Sequence, residues 1–490
     1  MKLKIKDVNL STGGPVIAIL NQIDATNLGV NAGDRVVLSR IKRYKDKVIA
    51  VVDISTSGVE PGEIGLFEEV LRFLDVEEGT HINVELSQQP KAIQYIKNKL
   101  LGKHLTEQQI KDIVQNVVSN KFSEVEMTYF VSACFTKGLD LNESAALTKA
   151  IVESGTQLTF EKKVVLDKHC IGGVPNNRTT MIVVPIIAAL GFTIPKTSSR
   201  SITSPAGTAD TMEVLAPVAL SEEKIKQVVN ETNGCIVWGG TTNLAAADDK
   251  LIKIRHPLRI DPEGMLLASI LAKKKAVGAT HVLIDIPYGY GAKFETKLSA
   301  LVLGKKFSEL GKRLGMNLKV VYTDGSQPVG NGIGPALEAA DVITVMQSDG
   351  PNDLREKSVH IATQLLRMIN VKDAHNKVLK VLNSGQAYDK FIEIVKAQGG
   401  RKCVRIPKAK YFYDVVAKKD GKVRRINNKG IARLALTAGA PADKVAGIYL
   451  RVHRNTLVRK GDVLFTLYSN TKAKLNSAVR LLDGIEHVVI

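Results

Sequence analysis

The sequence predicts a multidomain α/β protein with a small, barrel-like β-rich N-terminal domain, a helical domain, a large α/β domain with a mixed central sheet, and a strand-rich C-terminal lobe. Three patterns support this prediction. Apolar residues alternate with polar ones near the N-terminus, helical spacing and capping signals follow residue 90, and strand and helix patterns alternate from about residue 160. At roughly 150 residues per domain, a chain of 490 residues accommodates several such domains.

The composition is that of a folded protein. Apolar residues make up 44% of the chain, charged residues make up 24%, and the mean hydropathy is +0.01, which excludes a disordered or fibrous chain. No apolar run approaches the roughly 18 to 20 residues that a membrane helix needs, and the N-terminus lacks the continuous apolar core of a signal peptide, so we expect a cytoplasmic protein with no membrane partner. The four cysteines form no C-x-x-C pair and no cluster with histidine, which argues against disulfides and structural zinc. We expect no metal and no cofactor.

The charge balance favours anionic partners. Lysine and arginine total 68 against 49 acidic residues, a net charge of +19. Aromatic residues are only 5% and the basic residues are spread along the chain, so we expect no nucleic-acid partner. A basic nucleic-acid-binding module remains the alternative from another class of protein, and many solvated lysines would explain the net charge equally well.

The first domain is expected over residues 1–87. Leu3, Ile5 and Val8 alternate with polar residues, and glycine-containing turns at Gly13-Gly14 and Gly33-Asp34 separate later apolar runs. The further strand candidates are Val16–Leu20, Val36–Ile41, Val48–Ile54 and Thr80–Leu86. Gln88-Gln89-Pro90 resembles a linker.

The helical domain is expected over residues 88–160, completed by residues from about 243 to 278. Two segments, Thr106–Gln109 and Ser123–Glu126, fit the capping box, in which a hydroxyl caps the first helical turn and a Glu or Gln reaches back to the cap. Apolar residues follow each box at helical intervals, which predicts a short bundle.

The α/β domain is expected over residues 161–242 and 279–400, and the C-terminal lobe over 401–490. Parallel strands joined by helices place ligand loops at the carboxyl ends of the strands. The strand candidates are Lys163–Leu166, Cys235–Trp238, His281–Ile286 and Leu318–Tyr322, and the helix candidates include Thr179–Leu190 and Thr296–Leu314.

Two loops of this domain carry groups that suit anions. In Asp167–Val174, glycines let backbone N–H groups approach an anion and Lys168 adds a charge, although a plain turn explains the same residues. In Thr197–Thr208, seven of twelve residues carry hydroxyls and Arg200 could neutralise charge, although a solvated loop is the alternative.

Three further stretches are weaker candidates. Asp261, which follows Arg255 and Arg259, could be a general acid, but the residues alone favour a salt-bridged helix start. Lys293 ends a glycine-rich segment after a strand, where it could hold a phosphate. Cys170 could be a nucleophile, but a buried cysteine is the simpler interpretation.

Together and in this order, the motifs resemble the thymidine and pyrimidine-nucleoside phosphorylase family across residues 90–490. The family's Lys-His-Ser-Thr-Gly-Gly corresponds to Lys168–Gly173, its glycine-rich phosphate loop to Ser198–Thr208, and its Ala-Ser-Ile-Leu-Ala-Lys-Lys helix to Ala268–Lys274. Thr323-Asp324 and Gln327-Pro328 also match. Cys170 replaces the family's serine, the second loop is rich in hydroxyls, and an extra N-terminal domain is present; these departures resemble the branch that acts on nucleoside 5′-monophosphates.

The resemblance implies phosphorolysis in nucleotide salvage: AMP and inorganic phosphate would give adenine and ribose 1,5-bisphosphate, with CMP and UMP as further substrates. It also implies a homodimer formed through the helical domain, or a larger homo-oligomer. The alternatives are a pyrimidine-nucleoside phosphorylase and an anthranilate-phosphoribosyltransferase-like enzyme, which would need pyrophosphate and Mg²⁺.

The resemblance also assigns roles to residues. Asp261 would be the general acid that protonates the leaving base. Inorganic phosphate would contact Lys168, Gly172, Thr180 and Ser198. The nucleotide would contact Gly173, Ser199, Arg200, Ser201, Ile202, Thr203, Ser204, Thr208, Ser269 and Lys293.

Overall fold

The computed structural model describes residues 1–11, 16–41, 47–87, 90–201, 204–241, 244–258, 260–401, 405–483 and 487–490. The chain forms two compact units. The first comprises residues 1–150 and 247–263, and the second comprises 151–246 and 264–490. The expected turn at Gly13-Gly14 and part of the expected linker, Gln88 and Gln89, lie outside the described residues. Within the described ranges, every helix is too short or too polar to cross a bilayer.

The first unit begins with a closed six-stranded barrel, which confirms the predicted β-rich domain. Its strands and two short helices are β1 (Lys2–Asp7), β2 (Ile17–Asn21), α1 (Gln22–Leu28), β3 (Arg35–Arg40), β4 (Lys47–Ser55), β5 (Glu63–Leu66), α2 (Glu68–Leu74) and β6 (His81–Leu86). The order around the barrel is β1-β5-β2-β4-β3-β6. Inward-facing residues such as Leu3, Ile5 and Leu38 form its core. The sequence patterns predicted neither β5 nor the two helices.

Four helices follow in the same unit: α3 (Ala92–Leu100), α4 (Glu107–Val118), α5 (Glu124–Lys137) and α6 (Leu141–Glu153). Both predicted capping boxes form. Thr106 accepts from the backbone of Gln109 and Ser123 from that of Glu126, while each Glu or Gln side chain bonds back to the cap. Local sequence therefore fixes where α4 and α5 begin.

A buried carboxylate, that of Glu143, joins three parts of this bundle. Both of its oxygens accept from Lys99 Nζ, at 2.6 and 2.8 Å, and it also accepts from the backbone N–H groups of Leu105 and Asp140. Because all its partners are donors, the carboxylate is buried as a satisfied ion pair that holds α3 and the start of α6 together.

The second unit contains a parallel sheet. In chain order the elements between residues 166 and 324 are β7 (Leu166–Cys170), α7 (Thr179–Ala189), β8 (Ile194–Ser198), α8 (Thr208–Met212), α9 (Glu222–Thr232), β9 (Gly234–Trp238), a 3₁₀ turn (Gly239–Thr241), α10 (Ala246–Arg255), α11 (Glu263–Ala276), β10 (His281–Tyr288), α12 (Lys297–Arg313) and β11 (Asn317–Asp324). Of these, α10 belongs to the first unit. Strands β11, β10 and β7 pair in that order, β8 pairs with β9, and a bridge between Val165 and Thr193 joins the two sets.

Two expectations about this sheet are wrong. Every described pairing among β7 to β11 is parallel, so the sheet is not mixed. The strands are parallel because helical connections carry the chain back to the end of the sheet at which each strand starts. The first strand was expected over Lys163–Leu166, but β7 runs to Cys170 because Lys168, His169 and Cys170 pair with β10. The Lys-His-Cys motif is therefore strand, and only its glycines are loop.

Helix α10 returns the chain to the first unit and is docked there by a charge. Lys250 donates its ammonium group to the carbonyls of Val117 and Val118 at 3.0 and 2.9 Å and to Asn120, at the carboxyl end of α4. A cation is favoured at that end of a helix because the last carbonyl groups have no partners in the helix.

Helix α7 is the central helix of the second unit. Its residues from Thr179 to Ala188 are buried, which explains why this helix lacks a polar face. It packs among α14 (Asn352–Met368), α15 (Ala374–Asn383) and α16 (Gln386–Ala397), which with α13 (Pro335–Met346) and the short strand β12 (Gly332–Ile333) complete this part of the chain.

The remaining elements form the C-terminal part of the second unit: β13 (Tyr411–Val416), β14 (Gly421–Lys422), β15 (Arg425–Ile426), α17 (Asn428–Ala438), β16 (Gly447–Leu450), β17 (Leu457–Val458), β18 (Val463–Ser469), α18 (Lys472–Arg480) and β19 (Val488–Val489). The main sheet, β12-β16-β18-β13, is antiparallel, and Ile448, Phe465 and Leu467 pack with Ile431 and Leu434 of α17 in its core.

Candidate functional site

Strand β7 presents ionisable side chains on both faces. Because successive side chains of a strand point to opposite faces, Asp167 and His169 lie on one face and Lys168 and Cys170 on the other. The carboxyl end of β7 lies beside that of β10, where α/β proteins usually bind their ligands.

Lys168 is fully buried, and its ammonium group donates to Thr179 Oγ1 at 2.6 Å. Burial lowers the pKa of Lys168 to about 8, while the nearby Cys170 and Asp285 work against that shift. Thr180, the threonine expected to contact phosphate, is also buried at the start of α7. Thr179, which the sequence analysis did not select, is the one bonded to the lysine.

The two other polar residues of the motif are uncharged near neutral pH. Burial and the neighbouring lysines hold the pKa of His169 well below its usual value. Burial raises the pKa of the Cys170 thiol to about 11, and its sulfur accepts from Asn177 Nδ2 at 3.0 Å. A protonated thiol is a poor nucleophile, which favours the simpler interpretation of Cys170 as a packing residue.

On the opposite face of β7, a single carboxylate lies between two buried lysines. Asp167 is 2.7 Å from Lys274 Nζ and 3.6 Å from Lys196 Nζ, and all three side chains are buried. Burial lowers the pKa of Lys196, and the carboxylate opposes that shift. This cluster anchors α11 and β8 to β7.

The glycine turn after β7 lies against the loop that carries Lys293. Gly172 and Gly173 both have φ +88, in the left-handed region that favours glycine. A Cβ atom at Gly173 would lie 2.5 Å from the backbone nitrogen of Lys293. The structure thus brings together two of the loops that the sequence analysis selected.

The hydroxyl-rich loop after β8 is organised by Asp210. This carboxylate accepts from the backbone N–H groups of Ser201 and Gly207, at 2.7 and 2.9 Å. Ser201 donates to the carbonyl of Ser204, and Ser204 donates to that of Ala206 at 3.1 Å. Ser199 is exposed, whereas Ile202 and Thr203 lie outside the described residues.

Arg200 is paired within the protein. It binds Glu213 through two nitrogens, lies 3.4 Å from Asp210, and stacks 4.8 Å from the centre of the Trp238 ring. The bond to Glu213 raises the pKa of Arg200, and Arg200 with Lys444 lowers that of Glu213 to about 2. In this structure its guanidinium braces the loop.

Arg178, which the sequence analysis missed, connects the two loops. It precedes α7 and donates to Thr208 Oγ1 at 3.2 Å, to the carbonyl of Ala206, and to the carboxylate of Glu338 on α13. An arginine at the junction of a glycine loop and a buried helix was a possible signal, but its partners lie far away in sequence.

The remaining candidates have different surroundings. Ser198 Oγ is buried and has no hydrogen-bond partner among the described residues, and Ser269 is 7% exposed on α11. Lys293 is exposed. Asp261 belongs to the first unit, where its side chain is 46% exposed and lies 3.7 Å from Arg255.

One group of metal-ligating residue types occurs among the described residues, in the first unit. His104 Nδ1 lies 3.1 Å from Asp140 and 3.7 Å from Glu143. The Glu143 carboxylate already accepts from Lys99 and from two backbone N–H groups, so its oxygens serve the bundle.

Three family models match the chain. The helical bundle domain of a glycosyl transferase family matches residues 93–155, and the a/b domain of that family matches residues 162–388. The pyrimidine nucleoside phosphorylase C-terminal domain matches residues 422–486.

Relatives match nearly the whole chain. AMP phosphorylase 1 of Archaeoglobus fulgidus is 43% identical over 482 residues, which cover 97% of this chain and 95% of that protein. A Legionella pneumophila (strain Paris) protein, provisionally named a thymidine phosphorylase, is 46% identical over 449 residues, or 90% of this chain and 86% of its own. The crystal structure of anthranilate phosphoribosyltransferase from Thermus thermophilus aligns with a TM-score of 0.50 at 18% identity, covering 62% of this chain and 98% of that one. At this low sequence identity, the similarity to anthranilate phosphoribosyltransferase shows a shared fold and nothing about function.

Replacing Gly173 with alanine should destabilise the protein by about 1–3 kcal/mol more than replacing Gly172, because the new methyl group overlaps the Lys293 backbone. The two glycines share the same φ, so backbone strain is matched, and a Cβ at Gly172 meets no described atom within 4 Å. Denaturant unfolding of the two variants measures the difference. Equal losses would contradict the steric argument.

Proposed function

The chain belongs to the thymidine and pyrimidine-nucleoside phosphorylase family, and from that membership we propose that it catalyses the phosphorolysis of AMP. Inorganic phosphate attacks C1′ of the ribose, the bond from C1′ to the base breaks, and its electron pair leaves with adenine. The products are adenine and ribose 1,5-bisphosphate. CMP and UMP are proposed as further substrates, and the reaction serves nucleotide salvage.

The observation that carries this proposal is the arrangement of three loops at the carboxyl ends of β7, β8 and β10. A buried ammonium group, a glycine turn and a hydroxyl-rich loop are the donors that hold phosphate oxygens, and Gly173 and Arg178 link these loops to one another. The reaction needs two anions, the attacking phosphate and the 5′-phosphate of the nucleotide. Two separate segments, the glycine turn after β7 and the hydroxyl-rich loop after β8, supply donors for them.

The proposal assigns roles as follows. Asp261 protonates the leaving base at a ring nitrogen such as N7, which removes the negative charge that develops there. The attacking phosphate is held by Lys168, Gly172, Thr180 and Ser198. The nucleotide is held by Gly173, Ser199, Arg200, Ser201, Ile202, Thr203, Ser204, Thr208, Ser269 and Lys293. We also propose that the four predicted domains divide the chain as the sequence patterns indicate.

We further propose that the protein is a homodimer or a larger homo-oligomer formed through the helical bundle. Helix α5 supports this, since Val125, Tyr129 and Phe135 are each more than half exposed although they are apolar.

Thymidine phosphorolysis is the second candidate function, favoured by the similarity to the Legionella pneumophila protein. The two functions differ in what the hydroxyl-rich loop binds. A nucleoside offers that loop no 5′-phosphate.

Incubation of the purified protein with AMP and phosphate should release adenine and ribose 1,5-bisphosphate, detected by chromatography and phosphorus NMR. AMP should exceed adenosine and thymidine in kcat/KM, because 5′-phosphate binding orients the sugar. Reactions without phosphate and reactions with a chelator are the controls. Preference for thymidine would support the second candidate, and a requirement for Mg²⁺ and pyrophosphate would support a phosphoribosyltransferase.

Replacing Asp261 with asparagine should lower kcat by about 10²-fold or more, the usual contribution of a general acid. The matched control is Asp389→Asn, which changes an exposed carboxylate on α16. An unchanged rate in the Asp261 variant would remove this residue from the mechanism.

The value of kcat/KM for phosphate should fall as the pH rises through about 8. Lys168 has a pKa lowered to about 8, so it is charged below that pH and loses its proton above it. Lys168→Arg should be slower but should lack this alkaline decline, because a guanidinium stays protonated. The same decline in the arginine variant would show that another group titrates.

A further inference from the structure

We propose that Arg178 is a positioning residue for this reaction: its guanidinium fixes Thr208 as a hydrogen-bond donor to the substrate and holds the hydroxyl-rich loop in register with the glycine turn. The inference rests on the proposed function and adds to it a residue and a mechanical link between the two anion-binding loops.

The geometry places one rigid group across both loops. Arg178 ends the loop that follows β7, and its side chain is only 12% exposed. Nη1 donates to Thr208 Oγ1 at 3.2 Å and Nη2 donates to the carbonyl of Ala206, so one planar group contacts two points of the second loop.

The third contact gives this group a fixed support. Nε donates to the carboxylate of Glu338, which is 1% exposed on α13. Glu338 also accepts from Thr211 Oγ1 at 3.0 Å and from the backbone N–H of Gly334 at 3.3 Å. The carboxylate is thus held by three donors, and the orientation of the guanidinium follows from it.

The charge of Arg178 is compensated by Glu338, so its effect on the site is geometric. A threonine hydroxyl both donates and accepts. When Thr208 Oγ1 accepts from a guanidinium, its own proton points elsewhere and is available to an anion. Arg178 therefore leaves the Thr208 hydroxyl to act as a hydrogen-bond donor towards the substrate. A phosphate oxygen, which only accepts hydrogen bonds, requires such a donor.

Lysine cannot reproduce this arrangement. Its ammonium is a point charge on a flexible stem, and it cannot reach Thr208, Ala206 and Glu338 with the spacing of a planar fork. Arg178→Lys keeps the charge opposite the buried Glu338 and so preserves folding, while it loses the contacts to the loop.

The test is a double-mutant cycle between Arg178→Lys and Thr208→Val, with steady-state kinetics in AMP and phosphate and thermal unfolding of each variant. Each single variant should lose about 10- to 100-fold in kcat/KM, the effect of one hydrogen bond to a charged group. The double variant should lose less than the product of the two single losses, because part of the effect of Arg178 is exerted through Thr208. Arg355→Met, which removes a surface arginine of α14, is the control and should match the wild type.

Additive losses would assign Arg178 a general structural role and overturn the inference, as would wild-type kinetics in Arg178→Lys. If Arg178→Lys unfolds, the double variant Arg178→Met with Glu338→Gln replaces the ion pair by neutral side chains and leaves no unpaired buried charge. Recovery of both stability and activity in that double variant would also overturn the inference. An inactive wild type would instead refute the proposed function, and the inference with it, whereas an active wild type with an unaffected lysine variant refutes the inference alone.

Discussion

The buried ammonium group of Lys168 is the constraint on which the end of β7 depends. A charge taken out of water destabilises a protein unless hydrogen bonds and opposite charges surround it. Thr179 supplies the hydrogen bond, and Asp285 on the neighbouring strand supplies a carboxylate on the same face. Burial lowers the pKa of this lysine because its charge loses the stabilisation that water provides. An anion that enters the site stabilises the charge in place of water. Anion binding and the protonation of Lys168 therefore favour each other.

Several charges of the neighbouring loops are matched by opposite charges. Arg178 faces Glu338, and Arg200 and Lys444 face Glu213 and Asp210. These pairs fix loops without adding net charge. Loops fixed in this way can hold phosphate through oriented neutral donors together with ammonium groups such as that of Lys168, so binding depends on the geometry of the donors.

Short sequence patterns correctly predicted those features of the fold that depend on residues close together in the chain. The capping boxes at Thr106 and Ser123 formed as predicted, because a cap needs only four consecutive residues. The end of β7 was misplaced because pairing with β10, more than 100 positions away, extends the strand. Arg178 was missed for the same reason, since Glu338 is 160 positions away. Thr180 was selected by family position, whereas the direction in which each threonine points depends on how α7 packs.

The hydroxyl-rich loop offers a physical reason for preferring a nucleotide to a nucleoside. Ser201 and Ser204 now donate to backbone carbonyls of their own loop. A 5′-phosphate would give these hydroxyls stronger, charged acceptors, and each would exchange one acceptor for a better one. A nucleoside offers no such exchange, and the hydroxyls would keep their internal bonds. Discrimination between a nucleotide and a nucleoside would then arise from the 5′-phosphate itself. Asp210 and Arg178 hold the backbone of the loop in place in both cases.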